Sequence, residues 1–341
     1  MPPAVSTTVY FATNRRRAAA EPGGYGDGMT TDPDKVEYGS LPVTGTVVDK
    51  ADSGALGAHG PRQTGGFDAP TRAAIIDAGR NLLVFVHGFA NSFEDAVKRA
   101  AFNRAFLAAS GQKAANTTVL AFTWPSLGAV IGSDPFAPGG QYLKERRKAA
   151  SSGPALAGFL RHALGIVRDF RAATPGGRAF LLAHSMGNHA LSAAVEPLLA
   201  AGAPPATFDE AVLAAADTDH ATLEDPGQAG MFRLRELADR ISVYASGRDL
   251  ALHASLALNR VVPLGLDGAK SESDKTVYPP KRFRSVDCTL VFDLLKTVQA
   301  PAVDASHQYY RRSRTVAADI ALLMADGKVK PGMSRLFAAP F

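Results

Sequence analysis

The segment 179–195 contains a serine in a setting that supports nucleophilic chemistry. Ser185 stands between the apolar run 179–183 and the Ala- and Leu-rich run 188–195. The first run predicts a strand buried on both faces, and the second predicts a helix. A sharp turn between them exposes the serine side chain and directs N–H groups of the helix start to the same place. Ser185 is therefore a candidate nucleophile.

The pentapeptide around Ser185 has the form G-x-S-x-G, with Ala183 in place of the first glycine. Small residues are needed on both sides of the serine because the strand and helix backbones approach closely there. The pentapeptide alone is equally compatible with a serine that caps an ordinary strand–helix turn. The nucleophile interpretation therefore depends on two partners elsewhere in the chain, a base that takes the hydroxyl proton and an acid that orients the base.

The base is expected to follow the serine and the acid along the chain. Of the eight histidines, His307 alone has a position that suits this order. Taken singly it reads as a surface-loop histidine, but elimination of the other seven outweighs that interpretation. His59, His87 and His162 precede the serine, His184 is its neighbour, and His189 lies in the helix behind it. His220 comes too early for this order, and His253 follows Asp249 by only one helical turn, so the chain cannot fold it over Ser185 while Asp249 orients it.

The acid is expected just after a strand that follows the serine. Asp249 stands after the predicted strand 241–245 and a short turn, which is the position of an acid that orients the base. Its rivals are Asp217 and Asp219, one strand earlier, which are also compatible with capping a helix or hydrogen bonding near the site. Strand order favours Asp249.

An oxyanion that forms during acyl transfer needs two preorganised N–H donors. Met186 supplies one because it directly follows the nucleophile. The second is expected in the loop after the strand 82–86, where Gly88 permits a tight backbone and Phe89 N–H is the candidate donor. His87 is then structural rather than catalytic.

Strands alternate with helices along most of the chain. Apolar runs predict strands at 6–13, 41–48, 82–86, 118–123, 211–216, 241–245 and 286–292. Helices are predicted at 92–110, with Ser92 and Asp95 as a capping box, and at 143–172, with a break at Gly153-Pro154. The pattern predicts an α/β fold with a mostly parallel central sheet and helices on both faces, whose site lies beyond the carboxyl ends of the strands. Gly- and Pro-rich stretches near 21–34 and 51–70 predict surface loops.

Composition excludes several classes of function. The net charge is +5, but the basic clusters at 15–17, 144–148 and 311–314 are scattered and carry few aromatics, so no nucleic-acid partner is expected. Cys288 is the single cysteine, which excludes an intrachain disulfide and a cysteine-based zinc site. No run reaches ~18 apolar residues and no leader segment is evident, so no integral membrane segment and a cytoplasmic location are expected. No pattern indicates an oligomeric state.

These segments together resemble the α/β-hydrolase superfamily, and in particular a largely uncharacterised bacterial family of predicted esterases. The resemblance extends over most of the chain, which is more specific than one pentapeptide. The matching segments are 10–15, 85–89 with 93–96 and Arg99, 182–188, 214–219, 243–252 and 306–310.

The resemblance implies a serine hydrolase with Ser185, Asp249 and His307 as its triad. We expect a single α/β-hydrolase domain over 1–341 that cleaves carboxylic esters through an acyl-enzyme intermediate, without metal or cofactor. Thioesterase, amidase and acyltransferase activities use the same groups and remain alternatives. A catalytically silent binding protein is the alternative from another class, against which the intact order of the three residues argues.

The acyl pocket of the expected ester substrate is predicted to be bordered by the segments 125–141 and 253–280. Apolar side chains suggest its lining, although core packing accounts for several of them equally well: Phe89, Trp124, Leu127, Val130 and Phe136.

Overall fold

The computed structural model describes residues 4–46, 54–109, 116–127, 140–224, 226, 230–293 and 306–326. The strands in these ranges are β1 (Ala4–Thr13), β2 (Arg15–Arg17), β3 (Tyr25–Met29), β4 (Glu37–Thr46), β5 (Gly54–Leu56), β6 (Gln63–Thr64), β7 (Asn81–Val86), β8 (Thr117–Thr123), β9 (Arg178–His184), β10 (Glu210–Ala214), β11 (Ile241–Ala245) and β12 (Phe283–Asp287).

The α-helices are α1 (Ala69–Asp77), α2 (Phe93–Ala109), α3 (Gly140–Ser151), α4 (Gly153–Ala173), α5 (Gly187–Ala200), α6 (Leu250–Asn259), α7 (Leu264–Asp267), α8 (Tyr309–Arg312) and α9 (Arg314–Asp326). Short 3-10 turns at Pro22–Gly24, Pro33–Lys35 and Phe232–Glu236 complete the described elements.

The central sheet has the strand order β12-β11-β10-β9-β7-β8-β1-β4-β5, with β6 also paired to β4. All pairings from β12 to β1 are parallel, whereas β4 is antiparallel to β1 and β5 and β6 are antiparallel to β4. The predicted mostly parallel sheet is therefore confirmed. Its antiparallel part forms one edge, far along the sheet from β10 and β11.

Helices cover both faces of the sheet because the central strands are apolar on both sides. In β7, Leu82, Val84 and Val86 belong to one hydrophobic cluster, and Leu83 and Phe85 belong to the other. The first cluster includes buried side chains of α4 and α5, and the second includes those of α2 and α9. Two cores thus hold β7 and β9 rigidly in the centre of the molecule.

Most predicted elements lie close to their predicted bounds. β1, β7, β8, β10 and β11 differ from prediction by two residues at most. The capping box is present, since Asp95 N–H donates to Ser92 Oγ at 3.1 Å and Ser92 N–H donates to Asp95 Oδ2 at 3.0 Å. The predicted long helix is broken between α3 and α4 as expected. A Cβ at Gly153 would collide with the backbone of Ala193 in α5, so the start of α4 packs directly on its neighbour.

The loop predicted at 21–34 is wrong in part, because β3 lies within it and pairs with β2. The sequence of β3 is YGDGM, whose glycines and aspartate give no apolar alternation. Tyr25 fixes this strand instead. Its ring lies 4.6 Å from the ring of Phe93, and its hydroxyl donates to Glu37 Oε2 at 2.8 Å.

The loop predicted at 51–70 also contains short strands, β5 and β6, which both pair with β4. These strands are two or three residues long, too short to show an apolar alternation, so their composition gives no signal. The loop ends at Asp68, whose carboxylate accepts the N–H of Thr71 at 2.8 Å and begins α1, a helix the sequence did not indicate. Residues 51–53 lie outside the described residues, as do residues 47–48 of the predicted second strand.

The last predicted strand, 286–292, is also misplaced, because β12 begins and ends earlier. Its pairing with β11 runs from Phe283 to Asp287. The chain then turns, with Val291 N–H donating to Cys288 O at 3.1 Å, so the apolar residues after Asp287 are not part of a strand.

The turn between β9 and α5 is a tight junction near the centre of the sheet. Ser185 has φ of 54°, in the left-handed region that residues with a Cβ seldom adopt. A Cβ at Gly187 would lie 2.5 Å from His87 O and 2.6 Å from Val86 O. These are backbone atoms of the neighbouring strand end, which cannot move aside as a side chain can.

We expect Gly187→Ala to lower the free energy of unfolding by about 2 kcal/mol or more, because the added methyl overpacks against backbone. The matched control is Gly158→Ala in α4, where a Cβ has open space. That change should stabilise the protein by about 0.5–1 kcal/mol through helix propensity. Urea unfolding followed by circular dichroism measures both. Equal effects of the two substitutions would contradict the close approach at Gly187.

Candidate active site

The backbone of Ser185 is pinned on both sides in its left-handed conformation. Its N–H donates to Ala214 O at 3.0 Å, and its carbonyl oxygen accepts the N–H groups of Asp217 at 3.1 Å and Asn188 at 3.0 Å. The side chain of Asn188 donates to Ala183 O at 3.0 Å, which ties the strand end to the helix start. Strain of this kind persists only where the surroundings enforce it, and it is concentrated at functional sites.

His307 and Asp249 lie side by side although 58 residues separate them in the chain. His307 Nδ1 is 2.7 Å from Asp249 Oδ2. The carboxylate is fully buried at the start of α6, where its other oxygen accepts the N–H of Leu252 at 3.1 Å. Since the carboxylate accepts a proton-bearing Nδ1, the lone pair of the neutral imidazole is on Nε2. That tautomer is the one a general base requires.

His184, directly before Ser185, connects the serine turn to His307. Its ring centroid lies 4.8 Å from that of His307 and 4.7 Å from that of Tyr310, and its Nε2 is 3.2 Å from His307 O. Tyr309 adds a second anchor, because its hydroxyl donates to Tyr244 O at 2.7 Å. These contacts bring the segment after residue 305 to the carboxyl ends of β9 and β11.

Sequence reasoning did not identify His184 and Tyr310 as supports of His307. The only available signals were the position of His184 beside the serine and the tyrosine pair that follows His307. Neither signal specifies a contact.

The rival acids have other partners. Asp217 accepts hydrogen bonds from Tyr142 OH at 2.7 Å and Ser255 Oγ at 2.5 Å, and Arg146 lies 3.6 Å away. Asp219 accepts the N–H of Ala221 at 2.8 Å within a local turn. Neither carboxylate is hydrogen bonded to a histidine ring among the described residues. Asp249 is therefore the acid placed to orient His307.

The loop after β7 lies directly against the serine. A Cβ on Gly88 would be 2.7 Å from Ser185 Cβ, so only glycine fits there without displacement. The N–H groups of Phe89 and Met186 have no hydrogen-bond partner among the described residues. They are the two donors that the sequence singled out, and both belong to backbone next to Ser185.

His87 is buried inside this loop rather than presented to the serine. Its ring stacks on the indole of Trp124 with centroids 5.0 Å apart, and its Nδ1 lies 2.8 Å from Gly88 O. Burial holds its pKa well below the usual value, so the ring is neutral and packs as a core residue. Trp124 is itself completely buried, which corrects its predicted place in the pocket lining.

The histidines behind the serine are also kept neutral. Burial lowers the pKa of His184 well below its usual range, and the nearby charge of His307 adds to the effect. Burial, with a smaller contribution from Arg146, lowers the pKa of His189 to about 4. His184 is therefore uncharged at neutral pH.

One predicted pocket border is partly described. Phe89 and Tyr142 rings meet edge to face at 5.9 Å, and Asn259 in α6 donates to Tyr142 OH at 2.6 Å. These contacts place the start of α3, which follows the predicted border 125–141, beside the loop after β7, and they join it to the end of α6, which lies within the predicted border 253–280. Residues 128–139, with the predicted lining residues Val130 and Phe136, lie outside the described residues.

Among the described residues, no cluster of three or more His, Cys, Asp or Glu side chains has a geometry suited to a metal ion. Within the same ranges, none of the helices is long and apolar enough to span a membrane.

Comparison with known proteins identifies a family that matches most of the chain. A family model described as "Alpha/beta hydrolase of unknown function (DUF900)" matches residues 71–322. No curated protein matches significantly.

Solved structures similar to this chain include two bacterial enzymes. The poly(3-hydroxybutyrate) depolymerase LpqC from Bordetella parapertussis is 14% identical, with a TM-score of 0.35, and the match covers 74% of this chain and 80% of that one. A brefeldin A esterase, described as a bacterial homologue of human hormone sensitive lipase, is 11% identical, with a TM-score of 0.34 and coverage of 96% and 78%.

We expect the burial of His189 to make the fold less stable in acid. The unfolded chain takes up a proton at this residue as the pH falls below 6.5, whereas the folded ring stays neutral until about pH 4. At pH 5 this difference costs about 2 kcal/mol of the free energy of unfolding. Urea unfolding at pH 7.5 and pH 5 should show a smaller loss for His189→Gln than for the wild type. The same loss in both proteins would contradict the lowered pKa.

Proposed function

This chain belongs to the α/β-hydrolase family DUF900, and on that premise we propose that it is a serine hydrolase that cleaves carboxylic esters. The membership confirms the α/β-hydrolase fold expected from the sequence. In the proposed reaction Ser185 Oγ attacks the ester carbonyl, the alcohol departs, and water hydrolyses the resulting acyl-enzyme. His307 carries the proton from Ser185 to the departing alcohol, Asp249 orients His307 and stabilises its charged form, and the substrate is a small-molecule ester.

The observation that carries the proposal is the hydrogen bond of 2.7 Å between His307 Nδ1 and the buried carboxylate of Asp249. A serine hydroxyl is a poor nucleophile until a base takes its proton, and the base must present the correct nitrogen. The carboxylate selects the tautomer that leaves Nε2 as the acceptor. It also stabilises the imidazolium that forms when the serine proton is transferred.

The tetrahedral intermediate carries a negative charge on the former carbonyl oxygen. Phe89 N–H and Met186 N–H are the donors we propose for this oxyanion. Support comes from their place on either side of Ser185 and from the lack of any hydrogen-bond partner for them among the described residues. The departing alcohol takes its proton from His307, and His307 then activates water for deacylation.

Ester cleavage requires neither a metal nor an organic cofactor in this mechanism. Cleavage of thioesters or amides, and acyl transfer to acceptors other than water, would use the same groups. The class of substrate must therefore be decided by measuring turnover. A series of p-nitrophenyl esters of increasing acyl length, compared with the matching thioester and anilide, ranks these possibilities directly.

A fluorophosphonate should label Ser185 and abolish esterase activity, because the activated hydroxyl displaces fluoride and forms a stable adduct. Intact-mass and peptide analysis identify the site. Ser185→Ala should not be labelled, whereas Ser192→Ala, which changes a serine within α5, should react as the wild type does. Labelling elsewhere, or activity lost to a chelator, would overturn the proposal.

Asp249→Asn should lower kcat by up to about 10⁴-fold, because an amide at this position favours the wrong tautomer of His307. Asp217→Asn is the matched control, since the backbone N–H of Asp217 donates to Ser185 O at 3.1 Å but its carboxylate binds Tyr142 and Ser255. Its loss should be much smaller. A full loss in Asp217→Asn together with an active Asp249→Asn would move the acid to the loop after β10.

A further inference from the structure

The peptide between Gly88 and Phe89 is oriented by hydrogen bonds to its oxygen. Gly88 O accepts from Asn91 Nδ2 at 3.0 Å and lies 2.8 Å from His87 Nδ1. The peptide is trans, so its N–H points to the side opposite its oxygen. Holding the carbonyl inward therefore directs Phe89 N–H outward. The same Asn91 amide donates to Phe89 O at 2.7 Å, which orients the next peptide as well.

Glu145, on α3, holds the other side of this loop although it is fully buried. Its Oε2 accepts the N–H of Ala90 at 3.3 Å and the hydroxyl of Ser126, and its Oε1 accepts the N–H of Leu127 at 3.0 Å. Ala90 has φ of 56°, a left-handed conformation that an alanine keeps only when its surroundings enforce it. The carboxylate thus fixes a strained residue next to Phe89.

Arg15 provides a buried positive charge on the same loop. Its guanidinium donates to Asn91 O at 2.8 Å and to Ser126 O at 2.8 Å. Burial lowers the pKa of Arg15 to about 9, and the charge of Glu145 is the largest of those that oppose the decrease. Arg15 remains protonated at neutral pH. Its guanidinium and the carboxylate of Glu145 therefore both hydrogen bond to Ser126 and to the backbone of residues 90–91.

Two buried charges are a costly way to stabilise a fold. Apolar residues of similar volume usually stabilise as well or better, because desolvation of the charges offsets their attraction. What charged groups provide is direction, since each hydrogen bond requires its partner in one place. Here those bonds converge on the loop that carries the proposed oxyanion donor.

We propose that Glu145 is a positioning residue for Phe89 N–H, with Arg15 as its counter-charge. The proposal rests on the function proposed above. Loss of the carboxylate would release Ala90 from its left-handed conformation and rotate the adjoining peptides. Phe89 N–H would then no longer meet the oxyanion, while Ser185, His307 and Asp249 would keep their places.

The expected kinetic effect falls on kcat rather than on KM. Removal of a complete oxyanion donor costs about 10²–10³-fold in kcat, and a misaligned donor should cost less, about 10–100-fold. KM should change little, because the neutral ester carbonyl gains little from this donor.

A trifluoromethyl ketone tests the oxyanion site directly. Ser185 Oγ adds to the ketone carbon, the carbonyl electron pair moves to oxygen, and the serine proton passes to His307. Titration of the adduct by fluorine NMR gives the pKa of the hemiketal hydroxyl, which the oxyanion donors lower. Glu145→Gln should raise that pKa by about 1, a tenfold loss of oxyanion stabilisation.

The matched control is Glu210→Gln. Glu210 is equally buried and accepts hydrogen bonds from Ser242 Oγ at 2.6 Å and Arg240 Nε at 2.9 Å, but it lies at the start of β10, away from the site. It should lower the melting temperature and leave the hemiketal pKa and kcat unchanged. If Glu145→Gln does not fold, Ser126→Ala, which removes one donor to Glu145, should shift the hemiketal pKa in the same direction by less.

The outcomes separate the two proposals. If the hemiketal pKa of Glu145→Gln equals that of the wild type, the role of Glu145 is overturned while the hydrolase function stands. Where Glu145→Gln does not fold, an unchanged hemiketal pKa in Ser126→Ala has the same consequence. A rise that Glu210→Gln reproduces also overturns it, because the effect would then come from destabilisation. Absence of any adduct at Ser185 in the wild type overturns the hydrolase function and this inference with it.

Discussion

The close approach of the start of α5 to the end of β7 is the constraint around which the site is arranged. There is no room for a side chain at Gly187 beside the carbonyls of Val86 and His87, nor at Gly88 beside Ser185. The chain can pass this point only through a sharp turn, and the turn gives Ser185 its left-handed conformation. Two hydrophobic cores fix β7 and β9 underneath, so the strain is maintained by packing rather than relieved.

Electrostatics around the turn follow from that packing. The ring of His184 lies against His307 and is too deeply buried to take up a proton, so it does not place a second positive charge beside His307. Asp249 is equally buried, which makes its hydrogen bond to His307 strong and directional. One neutral ring and one carboxylate thus set the charge and the orientation of the proposed base.

The sequence predicted the parts of the molecule that depend on local patterns. Runs such as 82–86 have no stable alternative to a buried strand, and the order of Ser185, Asp249 and His307 indicated which acid lies beside which histidine. β3, β5 and β6 escaped prediction because they are short and carry no apolar alternation, and the contacts that hold them come from residues distant in the chain. The roles of Arg15 and Glu145 were also missed. The sequence does not distinguish a buried arginine from an exposed one, and the contact between Arg15 and Asn91 joins residues 76 positions apart.

Helix α3 carries side chains with two different tasks one turn apart. Glu145 points to the backbone of residues 90 and 127, while Tyr142 and Arg146 reach Asp217 and the neighbourhood of Phe89. The break before α4 makes this stretch a short rigid unit. Under the proposed function, substrate choice and reaction rate would be linked through α3. A substitution that changes the proposed acyl pocket by shifting α3 would also move the support of the loop that carries Phe89, so selection for a new substrate would act on both properties together.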